Sequence, residues 1–558
     1  MIGSFKEMDK KRQKYDAERP AINLNNPIFQ SIWFAVFGSI LSGVLLALGF
    51  PGFGNSTLIF VALVPLMFAV QGASIKKASW LALLSGFVFF MMSLSWLHNL
   101  TGTVEGVGMK ASALVGYALL ALYCGLYFIP FAITVTLGVQ RWAGENVWKN
   151  VRFMFAVTMV WVGAEYVRGF LLTGFPWNPL GVSQYANPTI IQIAEWGGVS
   201  IVSAYIVWMN AGAFITFRQY THGSRMKKYR PHFELMIGIV PLALSIAHGM
   251  NVLFNRPEFY ESVNVALVQP NIPQVEKWDT EMDQMIRDRL AELGSTALRL
   301  EGIDLMIWPE TAVPDFLRTS RASYDLVKSM TATGTPLLLG SMDVEFTEAG
   351  RIYYNSSMLF GKDGEELGKY DKQHLVPFGE YVPFPGLMRK FTPIEVDFRH
   401  GAGSTILPLR GNASFSALIC FEDIVAPLSV NATRAGARWL VSQSNDAWFD
   451  PSAQSEQHLA HAIFRCIENR IPMARCCNTG VSCIIDAYGN VQRNLEPLTK
   501  GFTTGQLHPR PIGLEKTFYT RNGNVFSKVA LIAGATVLFV LRSKGWKFRR
   551  KKDVPEVE

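Results

Sequence analysis

Three segments of the chain end in an ionisable side chain at a turn. Glu310 closes "DLMIWPE", Lys372 lies within the proline-rich "GKYDKQHLVPFGEYVPF", and Cys420 closes "FSALIC". A cysteine thiol has an ordinary pKa of about 8.5, so it needs a base to act as a nucleophile near neutral pH. Attack on an acyl group also needs a cation or hydrogen-bond donors at the developing oxyanion. Glutamate, lysine and cysteine supply these three roles, which predicts acyl chemistry that uses no metal and no cofactor.

Each of these residues also has an ordinary structural interpretation. A cysteine at the end of an apolar run is often a small core residue, and a loop glutamate or lysine is usually solvated. Histidine is a familiar partner of a nucleophilic cysteine, and His374, His458 and His461 lie in the same part of the chain. From the residues alone, a Cys–His pair therefore stays open as an alternative.

The segment that holds these residues has the pattern of an α/β domain. Short apolar runs with strand character occur at 262–269, 304–310, 335–343, 353–360, 415–423 and 438–446, with helical patterns such as 280–301 and 454–470 between them. Mostly apolar strands separated by helices predict sheets that are covered on their faces, as in a layered sandwich.

Long apolar stretches dominate the chain before residue 255. Hydrophobic residues make up 49% of the sequence and charged residues only 17%. The apolar stretches are 29–50, 57–71, 79–98, 111–139, 152–171, 189–217, 234–253 and, after the α/β segment, 525–541. Because a spanning helix needs about 20 apolar residues, most of them qualify and 57–71 is short. They predict a polytopic α-helical membrane bundle of about eight spans.

Basic residues mark every second loop between these stretches. They cluster at 6–19, 76–77, 141–152, 218–230 and 542–552, whereas the loops 50–57, 98–110 and 173–188 share one lysine. Basic loops stay on the cytoplasmic side, so both termini are predicted to be cytoplasmic.

The predicted divisions are a charged cytoplasmic tail (1–28), a seven-helix membrane bundle (29–254), an outward-facing catalytic domain (255–520), an eighth membrane helix (521–541) and a basic cytoplasmic tail (542–558).

Composition argues against several other classes of protein. The formal charge of +8 is clustered rather than spread, which disfavours a nucleic-acid partner. The six cysteines form no CxxC or other zinc-like spacing, although a disulfide among Cys466, Cys476, Cys477 and Cys483 stays open. A transporter would carry ionisable residues inside its spans, and the one obvious pair, Glu165 and Arg168, has helical spacing that suggests a structural role.

Longer motifs carry a resemblance to a known family. They occur in the order "VQPNIPQVEKWD" (268–279), "WPETAVP" (308–314), "YYNSS" (353–357), "KQHLVPFGEYVPF" (372–384), "ICFED" (419–423), "SNDAWF" (444–449) and "NTGVS" (478–482), after "GFPW" (174–177) and "GVSQY" (181–185) in the apolar half. The order Glu, Lys, Cys resembles the nitrilase superfamily, whose fold is an αββα sandwich. The whole set, from about residue 30 to 540, resembles the apolipoprotein N-acyltransferase family.

This resemblance implies roles for particular residues. Glu310 would be the general base, Lys372 the oxyanion-stabilising cation and Cys420 the nucleophile that carries the acyl group. Glu380 would be the second glutamate that orients the lysine. Further positions that the family uses in or around its site are Trp278, Asn355, Phe421 and Glu422.

Two positions depart from the family's pattern. The residue after the cysteine is often tyrosine and is Phe421 here, which removes a hydroxyl but keeps the ring. Asp450 stands where the family commonly has glycine.

The resemblance implies a ping-pong reaction in a bacterial inner membrane, with the catalytic domain in the periplasm. No ATP or acyl-CoA is available there, so a phospholipid ester would donate the acyl chain to the cysteine. The α-amine of a diacylglyceryl apolipoprotein would then accept it, and the product would be a triacylated lipoprotein. We expect a monomer that needs no cofactor. The alternative is a membrane-tethered amidase that hydrolyses small amides.

Overall fold

The structure is a computed structural model that describes residues 31–104, 106–144, 146–222, 233–257, 259–348, 350–389, 397–492 and 495–552. The predicted tail 1–28 lies outside the described residues, as do 223–230 of the basic segment 218–230 and the last six residues of the chain.

Helices form the first half of the chain and its C-terminal end. They are α1 (Ile32–Leu48), α2 (Val64–Val70), α3 (Ile75–Ser93), α4 (Val107–Leu126), α5 (Ile129–Arg141), α6 (Val147–Arg168), α7 (Val199–His222), α8 (Phe233–Phe254) and α13 (Val525–Lys552). Several begin at a polar cap, as at Ser31, Ser74 and Asn146, whose side chains accept a hydrogen bond from a backbone N–H of the first turn.

Five helical segments in the described part of the chain are long and apolar enough to cross a membrane. They are Ile75–Ser93, Val107–Arg141, Val199–Tyr220, Phe233–Phe254 and Val525–Ser543. Ile32–Leu48 and Leu58–Val70 are shorter apolar segments. The prediction of several membrane helices is confirmed, whereas the number eight stays a prediction.

The helix bounds differ from those of the predicted apolar stretches at two places, and in each case a local residue explains the difference. The stretch 111–139 is divided between α4 and α5, because Pro130 at the start of α5 has no backbone N–H to continue α4. The stretch 189–217 holds two short helices, Pro188–Ile191 and Ala194–Gly197, and Gly198 with φ 66° separates them from α7.

Two sheets form the α/β part. The strands are β1 (Val263–Gln269), β2 (Leu305–Ile307), β3 (Leu337–Thr347), β4 (Gly350–Phe360), β5 (Glu366–Asp371), β6 (Phe415–Ile419), β7 (Trp439–Ser444), β8 (Met473–Cys477), β9 (Cys483–Ile485), β10 (Val491–Gln492) and β11 (Gly501–Leu507). One sheet has the order β11-β1-β2-β3-β4-β5 and the other β10-β9-β8-β7-β6. β1, β2 and β3 are mutually parallel, as are β6, β7 and β8.

The two sheets pack face to face, and helices cover their outer faces. Apolar side chains of both sheets, such as Val265, Leu338, Phe415 and Trp439, form the inner core. Helices α9 (Asp283–Leu298) and α10 (Arg321–Thr331) cover the six-stranded sheet. Helices α11 (Ala426–Ala435) and α12 (Gln454–Asn469) cover the other sheet, and their core continues into the helical half. This αββα layering confirms the predicted sandwich.

All six cysteines are free, and the five other than Cys420 are buried. The disulfide left open by the sequence is therefore absent from this structure.

Candidate active site

Cys420 occupies a strained turn at the end of a buried strand. β6 ends at Ile419, and Cys420 begins the one-turn 3₁₀ helix Cys420–Ile424. Its φ of 53° lies in the left-handed region, which is costly for a residue with a side chain and occurs often at functional sites. Burial, with the carboxylate of Glu310 nearby, raises the pKa of the Cys420 thiol well above its usual value. The thiol is therefore protonated near pH 7, and its use as a nucleophile requires a base.

Glu310 is held from several directions. Its Oε2 accepts a hydrogen bond from the backbone N–H of Asn445 at 3.0 Å, and its Oε1 accepts one from Asn355 Nδ2 at 2.8 Å. The buried Lys277 donates from Nζ to the backbone carbonyl of Glu310 at 3.2 Å. The neighbouring strand approaches so closely that a Cβ on Gly340 would lie 2.6 Å from the Glu310 Cα. These contacts fix the carboxylate in one position.

Lys372 lies between two carboxylates. Its Nζ is 2.9 Å from Glu380 Oε1 and 3.4 Å from Glu310 Oε1, and its side chain is 1% exposed. Burial disfavours the ammonium form, but the two carboxylates outweigh it and raise the pKa of Lys372. Asn355 Nδ2 also donates to Glu380 Oε1 at 2.8 Å, and Val376 N–H donates to Glu380 Oε2 at 2.8 Å. The structure thus brings Glu310, Lys372, Glu380 and Asn355 into one cluster.

Glu422 connects the turn at Cys420 to the loop that follows Lys372 through hydrogen bonds. Its Oε2 accepts hydrogen bonds from Ile419 N–H and Tyr370 Oη, both at 2.8 Å. Its Oε1 accepts from the N–H groups of Gln373 at 2.6 Å and His374 at 2.9 Å. Burial raises the pKa of Glu422 to about 7. The side chain therefore sets the position of the thiol relative to the lysine.

The two aromatic positions lie in different surroundings. Phe421 stacks between His374, with ring centroids 5.7 Å apart, and Trp177 of the helical half, at 6.0 Å. Trp278 follows the short helix Gln274–Lys277 and is 44% exposed. In the described part of the chain, no hydrogen bond or ring contact joins it to the other predicted site residues.

None of the three candidate histidines hydrogen-bonds the thiol among the described residues. His458 Nε2 lies 3.1 Å from the carbonyl oxygen of Cys420, and His461 Nε2 accepts from the backbone N–H of Asn178 at 3.3 Å. His374 stacks on Phe421. The described part of the structure therefore gives no support to a Cys–His pair.

Sequence reasoning missed several residues that support this cluster. Lys277 precedes Trp278, and Asn445 lies within the quoted motif "SNDAWF", but neither could be connected to Glu310 without the fold. Asp450, the departure in the same motif, accepts hydrogen bonds from Thr479 and Ser455, and burial raises its pKa to about 6.

Gln457 on α12 joins the α/β domain to the helical half through hydrogen bonds. Its Oε1 accepts from Trp177 Nε1 at 2.8 Å, Trp96 Nε1 at 3.2 Å and Asn178 Nδ2 at 3.1 Å. Its Nε2 donates to the carbonyls of Ser93 at 3.0 Å and Pro51 at 3.3 Å. One buried amide therefore connects three segments of the helical half, at Pro51, at 93–96 and at 177–178, to the α/β domain.

Glu165 and Arg168 support the segment "GFPW". Arg168 Nη1 donates to the carbonyls of Phe175 at 2.9 Å and Trp177 at 2.6 Å. Glu165 Oε1 accepts from the backbone N–H of Leu180 at 2.8 Å. These contacts match the structural role expected from their spacing.

No group of three or more His, Cys, Asp or Glu side chains suited to hold a metal ion occurs among the residues that the structure describes.

The α/β part of the chain is a carbon-nitrogen hydrolase domain. The carbon-nitrogen hydrolase family model matches residues 264–513. The N-terminal domain model of apolipoprotein N-acyltransferase matches residues 42–212. Among solved structures, Saccharomyces cerevisiae Nit3 of the nitrilase superfamily is similar over 45% of this chain and 92% of its own, with 17% identity and a TM-score of 0.34.

Curated relatives define the family more closely. An apolipoprotein N-acyltransferase of Geobacter metallireducens is 34% identical over 518 residues, which cover 92% of this chain and 95% of that protein. One of Rhodopseudomonas palustris is 28% identical over 539 residues, covering 92% and 96%. The chain belongs to the apolipoprotein N-acyltransferase family. With its apolar helices, this makes it a bacterial membrane protein.

Proposed function

We propose that this chain transfers a fatty acyl chain from a phospholipid, through a thioester on Cys420, to the N-terminal α-amine of a diacylglyceryl-cysteine apolipoprotein. The observation that carries the proposal is the cluster in which Lys372 contacts both Glu310 and Glu380, beside a strained and partly exposed cysteine. The names of the relatives support the same activity.

In the first half-reaction, Glu310 takes the thiol proton while Cys420 Sγ attacks the phospholipid ester carbonyl. The tetrahedral oxyanion is stabilised by the Lys372 ammonium and by backbone N–H groups beside Cys420, and one such donor contributes about 3–4 kcal/mol. The ester C–O bond then breaks, and the proton on Glu310 passes to the leaving lysophospholipid oxygen. The product is the acyl-enzyme thioester.

In the second half-reaction, the neutral α-amine attacks the thioester carbonyl. Glu310 takes the amine proton and returns it to the cysteine sulfur as the C–S bond breaks. Conversion of a thioester to an amide has a favourable free energy, so transfer to the amine drives the overall reaction toward product. Because one chain supplies Glu310, Lys372 and Cys420, we propose that a monomer is sufficient for the reaction.

The supporting residues have separate roles in this scheme. Glu380 orients Lys372, and Asn355 holds both carboxylates, since its Nδ2 lies 2.8 Å from an oxygen of each. Glu422 positions the nucleophile's turn. Phe421 contributes a ring stacked between His374 and Trp177, and the exposed Trp278 contacts substrate.

We also propose that residues 255–520 form a catalytic domain in the periplasm, with both termini in the cytoplasm. Seven membrane helices within 29–254 and an eighth at 521–541 would hold this domain at the membrane surface, where both lipid substrates lie. The alternation of basic loops supports this orientation.

The test uses the full-length protein in phospholipid vesicles with a synthetic diacylglyceryl-cysteine peptide. We expect the peptide to gain the mass of one fatty acyl chain. Its N-acetylated form, which has no free amine, should gain none, and Cys420→Ala should transfer none. An unmodified peptide together with hydrolysis of small amides would contradict the proposal and favour the amidase alternative.

A further inference from the structure

Four buried ionisable side chains lie directly behind the turn at Cys420. This ion quartet consists of Asp423 in the turn itself, Asp446 after β7, His458 on α12 and Arg475 on β8, and all four are at most 2% exposed. His458 Nε2 lies 2.6 Å from Asp423 Oδ1, and His458 Nδ1 lies 3.2 Å from Asp446 Oδ1. Arg475 Nη2 lies 3.0 Å from Asp446 Oδ2. The mechanism above uses none of them.

The carboxylates of the ion quartet keep His458 charged. Burial disfavours the imidazolium, and Arg475, 3.0 Å from Nδ1, opposes it, but Asp423 and Asp446 outweigh both and raise the pKa of His458 to about 9. Each ring nitrogen therefore carries a proton near pH 7. Nε2 faces oxygens of Asp423 and Cys420, and Nδ1 faces Asp446 Oδ1 beside the Arg475 guanidinium.

The same imidazolium contacts the nucleophile's own peptide group. His458 Nε2 lies 3.1 Å from the carbonyl oxygen of Cys420. In the described part of the chain the one cis peptide bond is at Asp450–Pro451, so the Cys420–Phe421 peptide is trans. The C=O and N–H of a trans peptide point in opposite directions. The N–H of Phe421 therefore points away from His458, and no protein acceptor for it occurs among the described residues.

A charged donor on a carbonyl oxygen polarises the whole peptide group, and its N–H becomes a stronger donor. The N–H of Phe421 belongs to the peptide next to the nucleophile, which is where an oxyanion donor is needed. Buried ion pairs add little to stability because desolvation offsets their attraction. Stability alone is therefore a weak explanation for four buried charges at this place.

We propose that His458 is a positioning residue for acyl transfer, which strengthens the Phe421 N–H as an oxyanion donor by hydrogen-bonding the carbonyl of the Cys420–Phe421 peptide. This inference rests on the proposed function, because it requires an oxyanion at Cys420. The ion quartet fixes the imidazolium in place and keeps it charged.

The first test compares two reactions of the same thiol in His458→Gln, which keeps a neutral donor in place of the imidazolium. One is acyl-enzyme formation from phosphatidylethanolamine, which passes through an oxyanion. The other is alkylation of Cys420 by iodoacetamide, which does not. We expect acylation to slow about tenfold, less than the loss of a whole oxyanion donor, while alkylation changes less than about threefold.

The matched control is His461→Gln, on the same helix and equally buried, with its ring bonded to Asn178 instead of the nucleophile's peptide. We expect both of its rates to stay within about twofold of the wild type. Asp446→Asn provides a second variant if His458→Gln does not fold. It retains His458 but removes one of the two carboxylates that favour the charged imidazolium. In this variant acyl-enzyme formation should slow, whereas alkylation of Cys420 by iodoacetamide should not.

Infrared spectroscopy of the acyl-enzyme reports the strength of the hydrogen bond that the Phe421 N–H donates. With a 13C-labelled acyl carbonyl, the infrared stretch of the wild-type thioester should move to higher wavenumber in His458→Gln, because the hydrogen bond to it weakens. Equal slowing of acylation and alkylation, or an unmoved carbonyl band, would overturn the inference while leaving the proposed function intact. If the wild type forms no acyl-enzyme, the proposed function fails and the inference fails with it.

Discussion

At the scale of single residues, the position of Lys372 determines how charge is distributed in the site. One ammonium group faces the carboxylates of Glu310 and Glu380, and Asn355 donates to both. Both carboxylates accept a backbone N–H, but Glu310 raises the pKa of the Cys420 thiol more than Glu380 does. This asymmetry is the physical reason to assign the base to Glu310 and the orienting role to Glu380.

Replacing Lys372 with methionine keeps much of the side-chain volume and removes the charge. We expect Lys372→Met to slow acyl-enzyme formation by about 10²–10³-fold, the usual effect of losing one oxyanion donor. Quenched-flow mass spectrometry of the acyl-enzyme measures the rate. The control is Lys362→Met, at an exposed lysine in the turn before β5, which should acylate like the wild type. Wild-type acylation by Lys372→Met would remove the lysine from the mechanism.

The raised pKa of His458 predicts a pH dependence of stability. The folded protein holds this proton more tightly than the unfolded chain, whose ordinary value is about 6.5. The stabilising contribution is therefore present in full below about pH 6.5 and is lost as the pH rises through about 9. Between these values the melting temperature of the wild type should fall more steeply than that of His458→Gln.

The control for this titration is His461→Gln. Burial lowers the pKa of His461 well below its usual value, so its effect on stability falls below pH 6.5 and outside the window. Melting curves for the three proteins across pH 6–10 make the comparison. Parallel curves for the wild type and His458→Gln would show that His458 is not charged in the folded protein.

At the scale of elements, the sequence predicts more of the strands than of their arrangement. The runs at 262–269 and 438–446 correspond to β1 and β7, which are buried along nearly their whole length although β7 ends in three polar residues. The strand in 415–423 ends at Ile419, where the charged residues form the turn. β11, which pairs with β1, is half-exposed and lacks a continuous apolar run, so its pairing required the fold.

In the candidate site, too, some residues could be predicted from the sequence, whereas the contacts that support them required the fold. Glu310, Lys372 and Cys420 could be identified because acyl chemistry needs their functional groups and because family motifs surround them. Lys277 could not be identified, and His458 could be named only as a possible partner of the thiol, since each side chain contacts a backbone carbonyl far away in the sequence. Side chains that bind main-chain atoms leave no spacing pattern between the two partners.

Gln457 makes the junction between the two halves testable. Gln457→Leu would leave the indole N–H groups of Trp96 and Trp177, the amide of Asn178 and two carbonyls without this partner. A buried polar group left unsatisfied costs about 1–3 kcal/mol, so we expect a loss of about 3 kcal/mol and slower acyl transfer. Thermal unfolding in detergent measures the first effect.

The control for the junction is Gln284→Leu, at an exposed glutamine of α9 whose amide bonds only the neighbouring Asp288 among the described residues. It should unfold within about 0.5 kcal/mol of the wild type, as most exposed substitutions do. Equal stability of the two variants would show that Gln457 does not hold the halves together.

At the scale of the whole molecule, the account requires the α/β domain and the basic loops to lie on opposite sides of the membrane. Glu345, near the tip of the β3–β4 hairpin, and Lys76, at the start of α3, are both exposed. In intact spheroplasts a membrane-impermeant maleimide should label Glu345→Cys and not Lys76→Cys. After the membrane is permeabilised, both should react. Labelling of Lys76→Cys in intact spheroplasts would contradict the proposed orientation.

The most direct test of acyl transfer through Cys420 is the intact mass of the purified protein after incubation with phospholipid and no acceptor. We expect a mass increase of one fatty acyl chain that hydroxylamine removes, because a thioester on Cys420 is the intermediate. Cys420→Ala should gain no mass. A wild-type protein that gains no acyl mass, yet transfers an acyl chain to the peptide, would contradict the thioester mechanism.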